Sequence, residues 1–299
     1  MDVDTRLLRY FAAVAEEGNL TRAAERLFVS QPALTKQVRQ LEDRLGVRLF
    51  DRSRAGMALT EPGRALAARV PALLGEWDRV LRETRRAASQ VLRVGFLASA
   101  ANEATPAIIA AFGVRRAGWR VDMRQASWAD PTAGLAGGDV DAALVRLPFP
   151  GQEAWRVEVL LTEPRRVALP SGHRLAARDV IAFDELWDEP FVAAPAETGP
   201  WRDYWLATGA RPGEPRIGAV TEHPDDWLSA IANGYGVALA PESAARYYAR
   251  PGVTYRPVTG VGPTHVAVAW SPADDNPAVR DFVACCLEHA HADRDAPSA

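Results

Sequence analysis

Apolar positions in residues 5–17, TRLLRYFAAVAEE, place Leu7, Leu8, Tyr10, Phe11, Val14 and Ala15 on one helical face, and Gly18-Asn19 ends the helix. Thr21 is expected to cap a second, short helix, TRAAERL, with Phe28-Val29 as the turn after it. In the next segment Leu34, Val38, Leu41 and Leu45 recur at steps of four, three and four, the spacing of a helix buried on one side. Ser30 precedes Gln31-Pro32, and a proline in a first turn gives up an amide that has no intrahelical partner. The pattern therefore predicts a third helix from Gln31 to Leu45, stopped by Gly46. Two helices joined by a short turn, the second with an outward stripe of Gln31, Thr35, Lys36 and Arg39, make a helix-turn-helix.

Beyond Gly46, VRLFDRSRAGMALT alternates around a basic tip, Arg52, Arg54 and Gly56, as a β-hairpin does. Thr60 with Glu61-Pro62 starts another helix. Leu66, Val70, Leu73, Trp77, Val80 or Leu81, and Thr84 then follow heptad-like spacing over about thirty residues, which predicts one long helix used as a dimer seam. Pro71 falls inside it and should cost a hydrogen bond and some straightness. From Val91 the texture changes to short β-type runs such as VLRVGFLA, AALVRL, RRVALP and HVAVAW, alternating with helical stretches such as TPAIIAAF and DDWLSAIAN. That alternation predicts an α/β domain with largely parallel sheets, long enough for two lobes.

Composition adds limits. The chain of 299 residues is 48% hydrophobic and 24% charged, ordinary for a folded protein of two domains. No apolar run approaches the roughly 18 residues of a membrane span, and MDVDTRLLRYF lacks the features of a signal peptide, so the chain is expected to be cytoplasmic. The adjacent Cys285 and Cys286 fit neither a disulfide framework nor a zinc spacing, and are expected to serve packing. The net charge of −3 is uneven: residues 1–90 hold 16 Lys/Arg against 12 Asp/Glu, and the rest of the chain is acidic. The surplus of positive charge thus falls on the half that carries the helix-turn-helix. No phosphate-binding loop, HExxH or GxSxG motif is present, and the histidines are scattered without metal spacing. Neither an enzyme nor a cofactor is expected. A solute-binding protein or a small-molecule enzyme built on the α/β part is the competing reading, and it leaves residues 1–60 without a purpose.

The stretch LRYFAAVAEEGNLTRAAERLFVSQPALTKQVRQLEDRLGVRLFDRSRAGMALTEPG resembles, over about sixty contiguous residues, the winged helix-turn-helix of LysR-type transcriptional regulators. RVGFLAS, DVDAALVRL, LLTEPRRVALPSGHRLA, IANGYGVALAPES and VAVAW are similar to the effector-binding domain of that family. The resemblance implies an all-α winged helix-turn-helix at residues 1–60, a linker and dimerisation helix at 61–90, and a two-lobed α/β domain like the periplasmic binding proteins at 91–299. Lobe I would take about 91–162 and 268–299 and lobe II about 163–267, with crossings near Thr162–Arg165 and Thr264–Val268. It also implies a homodimer or homotetramer on an inverted-repeat operator.

In such a protein the third helix lies in the major groove, with Pro32 in its first turn. Gln31 suits adenine edges, Lys36 guanine acceptors, and Thr35 thymine, while Arg39 suits a phosphate. Arg52 and Arg54 of the wing fit phosphate or minor-groove contact. By analogy an effector cleft would be lined by Ser99, Ala100, Ser127, Trp128, Arg146, Thr198, Trp201 and Trp227. Trp128 and Trp227 stand where the family commonly has smaller side chains, and either shrink the pocket or stack on a flat effector. Arg146 would anchor an effector carboxylate or close an ion pair between lobes. Hydroxyls, a guanidinium and rings together favour a small carboxylate with an aromatic or hydrophobic body.

Overall fold

The computed structural model describes residues 3–53, 56–87, 89–101 and 103–292. Arg54 lies outside the described residues, and so do the side chains of Arg52 and Ser99. The chain divides into two compact units, residues 1–89 and 90–299, and each is described by itself.

In the first unit α1 (Thr5–Glu17), α2 (Leu20–Arg26) and α3 (Gln31–Leu45) are followed by a hairpin, β1 (Phe50–Ser53) and β2 (Gly56–Leu59), and by α4 (Glu61–Ala67) and α5 (Val70–Ala87). Phe11, Leu34, Val38, Leu41, Leu49 and Phe50 are buried together, with the Phe11 and Phe50 rings 5.4 Å apart. Asn19, not Thr21, caps α2: its Oδ1 accepts the N–H groups of Thr21 and Arg22 at 2.8 and 3.2 Å. Both residue types cap helices, but only Asn19 keeps the extended backbone of a cap. Ser30 caps α3 and Gly46 ends it in the left-handed conformation (φ 69°).

The expected single linker helix is two helices. A turn at Ala68-Arg69 separates α4 from α5, so Pro71 sits in the first turn of α5, where it breaks no helical hydrogen bond. The apolar stripe divides accordingly. Val70 is buried in the unit's own core and Leu66 packs against it, whereas Leu73, Trp77 and Val80 are exposed.

The second unit holds two sheets. In chain order its first lobe begins with β3 (Val91–Phe96), α6 (Thr105–Arg115), β4 (Arg120–Gln125), β5 (Ala142–Leu147) and β6 (Arg156–Glu163). There follow β7 (Arg165–Pro170), β8 (Ile181–Ala182), β9 (Phe191–Ala193), α7 (Pro200–Leu206), β10 (Ile217–Val220), α8 (Pro224–Ala232), β11 (Ala238–Pro241), α9 (Glu242–Tyr247) and β12 (Val253–Thr259) in the second lobe. The chain then returns as β13 (Thr264–Trp270) and ends in α10 (Pro277–Ala292).

The first sheet has the order β4-β3-β5-β13-β6, the second β11-β7-β12-β8, and β10 pairs with β9 alongside. The sheets are mixed rather than largely parallel. In the first, β3 runs parallel to β4 and β5, but β13 is antiparallel to β5 and β6. The cause is topological: β6 carries the chain out to the second lobe and β13 brings it back beside β6, so the two run in opposite directions. All of β13 belongs to the first sheet, which corrects the expected boundary: residues 264–267 are first-lobe residues, and the return crossing precedes Thr264.

Cys285 and Cys286 are fully buried on α10. Their helix is held to α6 by the Phe112–Phe282 ring contact at 6.0 Å and by the Arg116–Asp281 and Arg115–Glu288 ion pairs at 2.6 and 2.8 Å.

Candidate functional site

On α3, Gln31, Pro32, Lys36 and Arg39 are exposed and Thr35 is half-buried. The Gln31 Nε2 donates to Thr35 Oγ1 at 3.1 Å, and that hydroxyl donates to the Gln31 carbonyl at 2.9 Å. The amide and hydroxyl one turn apart are thus held on a single outward line. Neither Lys36 nor Arg39 forms an ion pair among the described residues, so both cations remain available to an external anion. Sequence reasoning missed Phe28 at the turn before α3, which is 96% exposed with a positive φ of 54°. A bulky residue in that conformation is uncommon, and nothing in the pattern of apolar positions signals it.

The wing is fixed to this helix from behind. Buried Glu42 of α3 accepts the N–H groups of Leu49 and Phe50 at 2.8 and 3.2 Å. Thr60 donates to the Arg48 carbonyl at 2.7 Å and accepts from Gly63 N–H at 3.1 Å. A side chain at Gly63 would bring its Cβ within 2.1 Å of the Leu49 carbonyl oxygen, so only glycine allows α4 this close to the strand.

The residues expected to frame the ligand cleft separate into two groups. Trp128, Arg146, Trp201 and Trp227 line one cavity of about 80 Å³ between the lobes of the second unit. Ala100, Ser127 and Thr198 do not line it. Ala100 is packed in the first-lobe core. The Ser127 hydroxyl donates to the carbonyl and Oε2 of Glu222 at 3.4 and 3.3 Å. The Thr198 hydroxyl, fully covered, donates to the Pro195 carbonyl at 2.7 Å. Small hydroxyls look like ligand contacts in a sequence, but here each has a neighbour that satisfies it.

Rings dominate the cavity. Trp128 of the first lobe lies 6.4 Å from Trp201 of α7 and 6.1 Å from Trp227 of α8, the latter edge-on at 85°. Trp201 in turn meets Trp205 at 6.1 Å. Trp205, Arg202 and Tyr248 also line the space and were missed, although Trp201 and Trp205 stand four apart in PWRDYWL, the spacing of one helical face. The backbone N–H of Trp128 donates to the backbone carbonyl of Glu222 at 2.9 Å, which ties the first-lobe loop to the second lobe.

Arg146 closes an ion pair, but not the expected one between lobes: its partner Glu163 ends β6, in the same sheet, and the link to the second lobe is made by Ser243 of α9. The Arg146 Nη2 donates to Glu163 Oε1 at 2.8 Å and to Ser243 Oγ at 3.1 Å, with both charged side chains buried. The Ser243 N–H and Oγ donate to the same carboxylate at 2.6 and 3.0 Å. Strand β5, the end of β6 and the start of α9 therefore meet in one polar cluster. Burial pushes the Arg146 guanidinium below its ordinary range, opposed by the Glu163 charge. Nearer the surface, Arg246 of α9 pairs with Glu103 of the first lobe at 2.7 Å.

No group of three or more His, Cys, Asp or Glu among the described residues could hold a metal ion, and no described helix is long and apolar enough to cross a membrane.

Residues 5–64 match the family model of the bacterial regulatory helix-turn-helix protein, lysR family, and residues 85–291 that of the LysR substrate binding domain. The chain is 30% identical over 293 residues to the Hca operon transcriptional activator HcaR of Escherichia coli (strain K12), covering 96% of this chain and 98% of that protein. It is 34% identical to the HTH-type transcriptional regulator TfdS of Cupriavidus pinatubonensis (strain JMP 134 / LMG 1197), over 81% of this chain and 84% of the relative. Among solved structures, full-length CbnR complexed with its target DNA has a TM-score of 0.53 and 25% identity, covering 96% of this chain and 100% of that one. The helix-turn-helix with its wing, the two-lobed α/β unit and these likenesses over nearly the whole chain agree, and the protein belongs to the LysR family of DNA-binding transcriptional regulators.

Proposed function

We propose that this regulator binds an inverted-repeat operator as a homodimer or a pair of dimers, with α3 in the major groove and a small organic effector held among the tryptophans of the second unit. The observation that carries the DNA reading is the α3 stripe: Gln31 and Thr35 pre-aligned by their mutual hydrogen bonds, with Lys36 and Arg39 free of internal ion pairs among the described residues. Such a set offers an amide and a hydroxyl to base edges and cations to base acceptors and phosphates. Leu73, Trp77 and Val80 on α5 supply an exposed apolar stripe for the dimer seam. The wing arginines, Arg52 and Arg54, are assigned to flanking phosphates.

The effector reading rests on the cavity between the lobes. At about 80 Å³ it is smaller than the roughly 150 Å³ that holds a benzene ring, so a ring-sized ligand must part the lobes or displace an indole. Binding then works against the Ser127–Glu222 and Arg246–Glu103 contacts, and a ligand that favours one lobe arrangement shifts the population towards it. The α/β unit is read as a sensor rather than a catalyst, acting in the cytoplasm. Sequencing the genomic fragments retained by the full-length protein, followed by footprinting, tests the proposal. The expected result is a shared inverted repeat whose half-sites are one helical turn, or a multiple, apart. Retention without any shared sequence would overturn it.

A further inference from the structure

The wall of the cavity formed by α7 differs chemically from the rest. Val192, Ala193, Leu239 and Pro241 offer it only apolar side chains, and Trp128 and Trp227 offer ring surface. Trp201 and Trp205, four residues apart on α7, each carry an indole N–H that is buried and finds no acceptor among the described residues. Trp201 is 5% exposed. An indole nitrogen is a donor only, and buried donors in folded proteins are almost always satisfied, so two neighbouring orphans on one cavity wall call for an acceptor.

Charge points the same way. Arg146 also lines the cavity, but its guanidinium faces the Glu163 carboxylate at 2.8 Å, and the pair is neutral. Arg202, between the two tryptophans in sequence, lines the same cavity and spends Nη1 on the Ala194 carbonyl at 2.9 Å. It forms no ion pair among the described residues. The cavity therefore presents one unmatched positive charge beside two unused donors, within a box of rings.

We propose that Trp201, Arg202 and Trp205 form the carboxylate-binding subsite of the effector cavity, and that the effector is an aryl monocarboxylate whose ring lies against Trp128 and Trp227. This rests on the cavity being the effector site. A carboxylate supplies the acceptors that the two indoles need and the single negative charge that Arg202 lacks. A sugar would bring many hydroxyls into a place with few acceptors, and a dianion would leave one charge buried without a partner.

Isothermal titration of the full-length protein with benzoate, phenylacetate and cinnamate, with the amide of each, and with indole as a neutral flat probe tests the assignment. At least one acid should bind, with its amide weaker by about tenfold. Arg202→Gln should cost the acid about tenfold and leave the amide nearly unchanged, whereas Trp201→Phe with Trp205→Phe should weaken both, because each offers an oxygen to the indoles. A cooperative urea transition of the second unit with a midpoint near the parent's shows that each variant is folded, and the single Trp→Phe variants serve if the double variant is not. If the acid binds the Arg202 and tryptophan variants as it binds the parent, the subsite is wrong. If acids and amides fail while indole binds, the carboxylate class is wrong and the effector cavity stands. If indole fails as well, the cavity reading falls with the subsite.

Discussion

The Glu42 carboxylate accepts the Leu49 backbone N–H at 2.8 Å, joining the last turns of α3 to the first strand of the wing through a buried charge. The same oxygen takes the Phe50 N–H at 3.2 Å, so one side chain ties α3 to the hairpin that follows it. Glu42→Ala would leave two buried donors without that acceptor and is expected to cost about 1–3 kcal/mol of stability in the first unit. Hydrogen exchange should show faster exchange at the Leu49 and Phe50 amides, and operator and random DNA should weaken together. Unchanged protection at both amides would contradict the role given to Glu42.

The exposed stripe on α5 predicts an oligomer that depends on it. Trp77, 42% exposed, should lie in the seam, and Trp77→Asp would bury a charge there. Sedimentation should then show monomers, with much weaker operator binding. If the same oligomer persists, the subunits meet elsewhere.

Arg146 and Glu163 stabilise each other only as a pair. Glu163→Gln leaves a buried guanidinium uncompensated and is expected to cost about 3–5 kcal/mol, whereas Arg146→Met with Glu163→Leu removes both charges and should cost less, the remaining loss falling on the Ser243 N–H and hydroxyl that give up their acceptor. Urea unfolding of the parent, Arg146→Met, Glu163→Leu and the double variant distinguishes this from two independent contributions, which would add in the double variant.

Burial pushes the Cys286 thiol well above its ordinary range. The folded thiol keeps its proton at pH values where the unfolded thiol has lost it, so stability should fall as pH rises past about 8.5. Below that range the group adds no slope. Cys286→Ala should flatten the alkaline loss of urea midpoint, and neither Cys285 nor Cys286 should react with a maleimide until the protein unfolds. Rapid labelling of the native protein would show that the α10 face opens.

Much of the first unit was legible in the sequence because its signals are local. Ser30, Gly46 and the four-three-four spacing of Leu34, Val38, Leu41 and Leu45 are close in the chain, and α3 spans Gln31 to Leu45 as they require. The break at Ala68-Arg69 was hidden because neither residue is a helix breaker, although Pro71 suits a first turn better than an interior. In the second unit the alternation of strands and helices was visible, but the direction of β13 was not, since it depends on where the chain re-enters the sheet. The site was partly legible. Trp128, Trp201 and Trp227 do converge, while Arg146 is tied to Glu163 and Ser243, 17 and 97 residues away, by contacts that no local pattern announces.

Whether α3 reads base sequence is measured most directly by the affinity of Gln31→Ala and Lys36→Ala for the operator and for random DNA of the same length at one salt concentration. Each variant should lose about 1–3 kcal/mol at the operator and much less on random DNA, because base-edge contacts exist only at the cognate site. Equal losses on both DNAs, or none on either, would contradict direct readout by this helix.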